Sequence, residues 1–381
     1  MRYDAIVIGL GAYGSAALYQ LARRGAKVLG IDRFAPPHDL GSSHGDTRIT
    51  RLANGESAHL TGIVRRSHEL WRTIEAETGE DLLTQCGGLV ISGKSRASVH
   101  VADFFANTIA NARASQVVHE LLDTDEIRRR FPQFKVQDGE QGYFEPEAGF
   151  VRPEACIRAQ LALAARHGAD IRTGERVHGL ETEGHGVRAT TDGGGYTAST
   201  AIVALGSWLP AFSPRVAPLL KVYRQVLHWF EAQGDPSGHA PGRFPIFIWE
   251  LPGRDAGIYG FPLAVSGLKI ATEQYEEATT PENVSRQVSA AEVEEMHRLA
   301  SPFLPGLGPR CLKSSVCLYT LTPDRQFLID RLPDCPRAFA VSACSGHGFK
   351  HSAALGEALA EQISEGRSRI DLAPFSLNRF A

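Results

Sequence analysis

Residues 3–14 read Tyr3-Asp4-Ala5-Ile6-Val7-Ile8-Gly9-Leu10-Gly11-Ala12-Tyr13-Gly14, and the fold is decided there. The first half is a short apolar, β-branched run of the kind buried on both faces of a parallel sheet. It passes without a spacer into three glycines in the pattern G-x-G-x-x-G. The three glycines serve different physical ends. Gly9 permits a tight turn, Gly11 lets backbone approach a pyrophosphate, and Gly14 lets the helix expected over 15–24 pack closely on the strand. The amino end of that helix offers unpaired N–H groups and a positive dipole end to phosphate. After Gly25 the run Val28-Leu29-Gly30-Ile31 ends in Asp32, where a carboxylate can accept both hydroxyls of a ribose, with Arg33 beside it at the same edge. Strand, glycine turn, helix, strand and acid together form a βαβ dinucleotide-binding unit. The pattern leaves FAD and NAD both open.

Working outward, 381 residues are more than one ordinary core holds, so two domains are expected. The proline- and glycine-rich stretch 36–46 reads as a long loop. A helix carrying Ile63, Leu70, Trp71 and Ile74 follows, then a strand over 86–92 entering a different sheet, helices near 101–113 and 125–130, and a turn-rich segment at 142–146. A helix over 154–167 stops at Gly168, a strand follows at 170–172, and Asp192-Gly193-Gly194-Gly195 signals a hairpin. Residues 201–208 read as a buried strand ending in a glycine turn. The aromatic-rich stretch 222–270 suggests an antiparallel sheet, and 289–299 a helix. At the carboxyl end, residues 338–343, 345–348 and 351–363 read as strand, turn and helix. The expected fold class is therefore α/β: a Rossmann-like dinucleotide domain with a second α+β substrate domain on a mixed or antiparallel sheet. The first domain is discontinuous, over 1–85, 147–216 and 322–381, and the second takes 86–146 and 217–321.

Composition narrows the function classes. With 43% hydrophobic and 22% charged residues and a net charge of −3, the chain reads as an ordinary globular protein. A sequence pI near 6.5 and the lack of a basic stripe speak against nucleic acid as a partner. No apolar run approaches the roughly 18 residues of a membrane span, and Met1-Arg2-Tyr3 leads straight into the first strand, so a cytoplasmic location is expected. The six cysteines form no CxxC pair and the histidines no HExxH, so neither a disulfide framework nor a metal site is expected.

Cys317, with Tyr319 two positions on, precedes Ser345-Gly346-His347-Gly348-Phe349-Lys350, a glycine turn between a strand and a helix. A thiol so placed can reach a redox ring held at that turn and form a thioether with it, whereas a lone cysteine is ordinarily a small buried hydrophobe. The chain as a whole resembles the monomeric sarcosine oxidase and N-methyl-L-tryptophan oxidase family of FAD-dependent amine oxidases. The resemblance rests on Gly9 to Gly14, Pro36-Pro37-His38, Gly45-Asp46-Thr47-Arg48-Ile49 with Arg51, Tyr223-Arg224-Gln225, Tyr259-Gly260-Phe261-Pro262, Leu268-Lys269, Cys317, Tyr319 and the run Ser345 to Lys350. These pieces occur in order over essentially the whole chain.

The resemblance implies a glutathione-reductase-like FAD domain, FAD bound covalently through Cys317, and a monomer. It implies Arg51 and Lys350 on a substrate carboxylate, Lys269 beside the flavin where oxygen is reduced, His44 and Arg48 next to the ring, and Tyr259 and Tyr319 lining the substrate pocket. Gly346, His347 and Gly348 join the cofactor-binding set. Taken singly, Arg48, Arg51, Lys269 and Lys350 have ordinary readings as surface charges, and the two tyrosines as core aromatics. One position departs from the family pattern: Glu273 stands where relatives carry a histidine, four residues after the lysine. The expected activity is oxidation of a secondary amine bearing a carboxylate, with oxygen reduced to hydrogen peroxide. A dehydrogenase passing electrons to a protein or quinone, and a non-catalytic flavin-binding protein, stay open beside it.

Overall fold

The first strand forms as Arg2–Ile8 in the computed structural model, which describes residues 2–93, 101–254 and 256–381. Met1, expected to lead directly into it, lies outside the described residues. Among the described residues the strands fall into three sheets. The first is built on parallel pairs: Arg2–Ile8 lies between Val28–Asp32 and Gly194–Val203, and the latter pairs in parallel with Cys335–Ser342. Apolar residues on both sides of Arg2–Ile8 are buried, as a central parallel strand requires. The hairpin at 192–195 joins Gly186–Thr191 to Gly194–Val203 as expected. Helices Ala12–Arg23, Pro153–Arg166 and Ser352–Glu365 share one apolar core on this sheet.

The second sheet has nine strands and is mixed. Ile246–Glu250 runs parallel to Gly88–Ser92, while Lys221–Ala232 pairs antiparallel with Leu268–Ala271 and with Leu307–Leu321. Its core stacks Phe134 on Phe244, with Phe247 and Trp249 edge-on to Phe134. A small third sheet sets Arg48–Thr50 and Leu83–Gln85 on either side of Gly149–Val151.

The structure corrects one sequence-based expectation and forms one long strand for which the sequence raised none. The segment 142–146, expected to be turn-rich, is largely the strand Gln141–Glu145, because pairing with Gly88–Ser92 overrides the local glycine and proline signals. The strand Leu307–Leu321, which carries Cys317 and Tyr319, exposes Pro309, Arg310, Leu312 and Lys313 in its first half and shows no clean alternation. Its long register with Lys221–Ala232 is what fixes it. No helix among the described residues is long and apolar enough to cross a membrane.

Candidate active site

One cavity reaches from the glycine turn to the second sheet, lined by Gly9, Gly11, Asp32 and Arg33, by Ser42, Arg48 and Cys317, and by Tyr259, Lys269 and Glu273. At its first end the glycines act as their spacing requires. Gly9 has φ 86°, and a β carbon there would come within 2.5 Å of the Ala204 carbonyl oxygen. A β carbon on Gly14 would lie 1.7 Å from the Gly9 carbonyl oxygen, so strand and helix can meet only without one. On Gly11 it would find nothing nearer than the Ser43 hydroxyl at 3.7 Å, leaving the helix amino end open to the cavity. That open cradle fits a dinucleotide pyrophosphate. Asp32 accepts the backbone N–H of Leu10 at 2.7 Å and of Phe34 at 2.8 Å, one on each oxygen, which holds the turn and leaves each oxygen a further lone pair. Burial raises its carboxyl above the usual range, against those two bonds. The Arg33 guanidinium lies over the Phe34 and Trp208 rings.

The carboxyl-terminal glycine turn closes on the same end. The Tyr13 hydroxyl lies 2.6 Å from the carbonyl oxygens of both Ala343 and Gly348, tying the first helix to that turn. Gly346 has φ 81°, and a β carbon on Gly348 would collide with the Ala343 carbonyl oxygen at 1.7 Å. The His347 ring packs on Phe327, with Nε2 3.3 Å from the Arg325 carbonyl oxygen.

Midway along, Cys317 is 1% exposed and lines the cavity. Arg48 donates from Nη2 to the Ser42 carbonyl at 2.9 Å and to the Cys317 sulfur at 3.4 Å, and from Nη1 to the Thr47 carbonyl at 2.9 Å. Burial opposes its charge, but Cys317, Tyr319 and Tyr259 more than offset that and hold the guanidinium above its usual value. His44 lies 3.2 Å from the Gly41 carbonyl oxygen. Burial first, then the Arg48 charge, push it down to about 3, so it is neutral at ordinary pH.

The far chamber gathers residues from distant segments. Tyr259, on Gly257–Gly260, and Tyr319, on Leu307–Leu321, bring their hydroxyls to 3.3 Å. Burial raises both phenols, so both remain protonated donors. The Lys269 ammonium bonds to the carbonyls of Gly45 and Thr47, each at 2.7 Å, and faces the rings of Phe261 and Trp229. Burial and then Arg48 lower it well below the ordinary lysine range. Glu273 lines the chamber beside Tyr275, whose phenol it helps to raise after burial.

Arg51 and Lys350 also line the cavity, and the side chain between their charges was not visible in the sequence. Arg51 holds both oxygens of Glu56, at 3.0 and 3.2 Å, and donates to the Ala53 carbonyl. Lys350 donates to the His347 carbonyl at 3.1 Å. Burial brings its ammonium down to about 7, with Glu56 opposing and Arg51 assisting. Glu145 accepts the N–H groups of Leu52 and Ala53 at 2.6 and 3.2 Å and so fixes the backbone that carries Arg51. Glu56, Glu145, Glu154 and Ser42 were not anticipated, because a glutamate or serine in a loop, at a strand end or in a first helical turn carries no distinguishing local signal.

The model of the family described as FAD dependent oxidoreductase matches residues 4–362. A monomeric sarcosine oxidase of Streptomyces avermitilis is 36% identical, covering 100% of this chain and 98% of that protein. An N-methyl-L-tryptophan oxidase of Yersinia pestis is 35% identical over 100% of both chains. Among solved structures, the open form of NikD, an amino acid oxidase of nikkomycin biosynthesis, superposes with a TM-score of 0.84 at 23% identity, covering 98% of this chain and 97% of that one. Glycine oxidase from Geobacillus kaustophilus does so with a TM-score of 0.79 at 21% identity over 99% of each chain, and these two likenesses speak for the fold. A glycine cradle open to phosphate, a full-length family match and two groups of full-length relatives agree, and the chain belongs to the FAD-dependent oxidoreductases, with monomeric sarcosine oxidases and N-methyl-L-tryptophan oxidases among its relatives.

Proposed function

We propose that the protein is an FAD-dependent oxidase of a secondary amine that carries a carboxylate, such as an N-substituted amino acid. The observation that carries this reading is the continuity of one cavity from the Gly11 cradle, past the Cys317 sulfur, to a chamber holding a buried lysine, two phenols and the Arg51 and Lys350 cations. Gly9, Gly11, Gly14, Asp32 and Arg33 would hold the dinucleotide, with Gly346, His347 and Gly348 closing over it, and Cys317 would form the covalent link. FAD, when bound, supplies the two-electron oxidation of the carbon–nitrogen bond and the return of those electrons to oxygen.

The protein residues then divide the remaining work. Arg51 and Lys350 orient the substrate by its carboxylate, with Arg51 exchanging or sharing its Glu56 partner. Tyr259 and Tyr319, kept protonated, offer donors to the substrate and exclude water from the chamber. Arg48 shapes the ring-facing wall with neutral His44 close to it, and Lys269 supplies positive charge where oxygen becomes reduced. Glu273 contributes to the choice of substituent. Residues 1–85, 147–216 and 322–381 would form the dinucleotide domain and 86–146 with 217–321 the substrate domain. In support, every strand of the parallel sheet comes from the first set and every strand of the nine-stranded sheet from the second.

The test is steady hydrogen peroxide release with a panel of N-methyl amino acids, paired with anaerobic bleaching of the flavin by the same compounds. Bleaching without peroxide in air would replace the oxidase reading by the dehydrogenase one; neither signal with any member of the panel would remove both.

A further inference from the structure

Lys269 is 2% exposed, yet its Nζ faces three oxygens: the Gly45 and Thr47 carbonyls at 2.7 Å and the Thr47 hydroxyl at 3.3 Å. Three acceptors match the three protons of an ammonium, whereas a neutral amine has only two. A buried ammonium beside the Arg48 guanidinium needs a counter-charge. The loop that supplies its carbonyls is bent in an unusual way: Gly45 has φ 95° and Asp46 φ 66°, two left-handed residues in succession. That bend turns the N–H groups of residues 45 and 46 toward one point, as in an anion-binding nest. The point is occupied by a single oxygen of Glu154, at 2.6 Å from the Gly45 nitrogen and 3.2 Å from the Asp46 nitrogen.

The Gly45 carbonyl and the Asp46 N–H are the two ends of one planar peptide unit. Carboxylate, N–H, C=O and ammonium therefore lie in series: Glu154 accepts from one end of the peptide and Lys269 donates to the other. Hydrogen bonds in such a chain polarise one another. Glu154 itself is in the first turn of the helix Pro153–Arg166, where a negative side chain is favoured by the dipole. We propose that Glu154 is the positioning residue of Lys269, acting through the peptide between Gly45 and Asp46 to keep the ammonium charged and its two strong bonds fixed. The longer bond to the Thr47 hydroxyl is then the one whose proton turns toward the cavity. This inference rests on the reading of Lys269 as the cation that serves oxygen reduction.

The charged and titratable groups around Lys269 come from several elements: His44, Asp46 and Arg48 from the loop and the strand after it, Cys317 and Lys313 from Leu307–Leu321, and Glu154 from the helix. Lys313 pairs with Asp46 at 3.2 Å and lies over the far ring, Trp229, so Asp46 is already engaged. Glu154 is thus the carboxylate in direct line.

The chain has seven lysines, so NMR of the flavin-loaded protein labelled at lysine Cε gives a spectrum in which Lys269→Met assigns the one signal of interest. In Glu154→Gln, which keeps the shape but not the charge, the Lys269 signal is expected to titrate at least about one pH unit lower than in wild type, with reoxidation by oxygen slowed about tenfold and anaerobic reduction by substrate changed less than twofold. Glu154→Asp, which keeps the charge, should restore the wild-type titration. An unchanged Lys269 titration in Glu154→Gln overturns the inference, as do Gln and Asp variants that titrate alike, or an equal slowing of both half-reactions with a lowered melting temperature. Lys269→Met that reoxidises at the wild-type rate would remove the oxygen reading instead and leave the Glu154 titration standing.

Discussion

The Cys317 sulfur lines the cavity and accepts from the Arg48 guanidinium at 3.4 Å, an arrangement that holds it in place for a ring bound there. Flavin in the wild-type protein should therefore stay with the pellet after acid precipitation, and in Cys317→Ser it should appear in the supernatant. Absorbance of the two fractions decides it. Lys269→Met keeps much of the apolar stem and should slow reoxidation by at least tenfold while sparing substrate reduction, as read by stopped-flow absorbance of the two half-reactions. Lys350 gives a pH signature. Burial brings its ammonium down to about 7, so above that pH the neutral amine prevails and a bound carboxylate must restore the proton. Affinity for a carboxylate ligand should then fall as pH rises above about 7, by up to about tenfold per unit, and Lys350→Met should flatten the slope in a titration followed by flavin absorbance. The same lowered value means the unfolded chain binds the extra proton between about 7 and the ordinary lysine range, so this group adds stability as pH rises through that window. At this scale much of the site's inventory was legible, since Arg48, Arg51, Tyr259, Lys269, Cys317, Tyr319 and Lys350 all line one cavity. What the sequence hid were the carboxylates behind the cations: Glu56 on Arg51, because a pair inside an irregular loop carries no periodic signal, and Glu154 behind Lys269, because its contact with Gly45 spans 109 positions and leaves no local mark.

Two glycines separated by three positions make opposite demands on their elements. A β carbon on Gly14 meets the Gly9 carbonyl oxygen at 1.7 Å, so Gly14→Ala must push the helix Ala12–Arg23 off its strand. On Gly11 the same carbon enters open cavity, with only Ser43 near. In the Cys317→Ser background, where FAD would be held without a covalent link, Gly14→Ala should lower the melting temperature of the flavin-free protein by several degrees, whereas Gly11→Ala should leave it nearly unchanged and weaken FAD binding by at least tenfold. Thermal melts with and without added FAD separate the two. Elements whose own pattern agrees with their environment, such as Arg2–Ile8, Leu60–Thr78 and Pro153–Arg166, were readable within a few positions. The strands Gln141–Glu145 and Leu307–Leu321 were not, because each owes its conformation to a neighbouring strand rather than to its own alternation.

For the molecule as a whole, the cavity is walled by both large sheets, so ligand in it should stabilise them together. Flavin-free Cys317→Ser should melt below the loaded protein, and its midpoint should climb with added FAD by the ordinary logarithmic law. A midpoint independent of FAD concentration would show that the cofactor does not bridge the two walls. The layered arrangement of the parallel sheet carries a further consequence for biosynthesis. Arg2–Ile8 leaves the ribosome shortly before Val28–Asp32 and can pair with it at once, but its other neighbour, Gly194–Val203, emerges much later, and the strand beyond that, Cys335–Ser342, with the turn that Tyr13 grips, later still. A nascent chain therefore carries an unfinished sheet until Cys335–Ser342 has emerged, and it can seize its nucleotide only after the turn at 345–348 has been added.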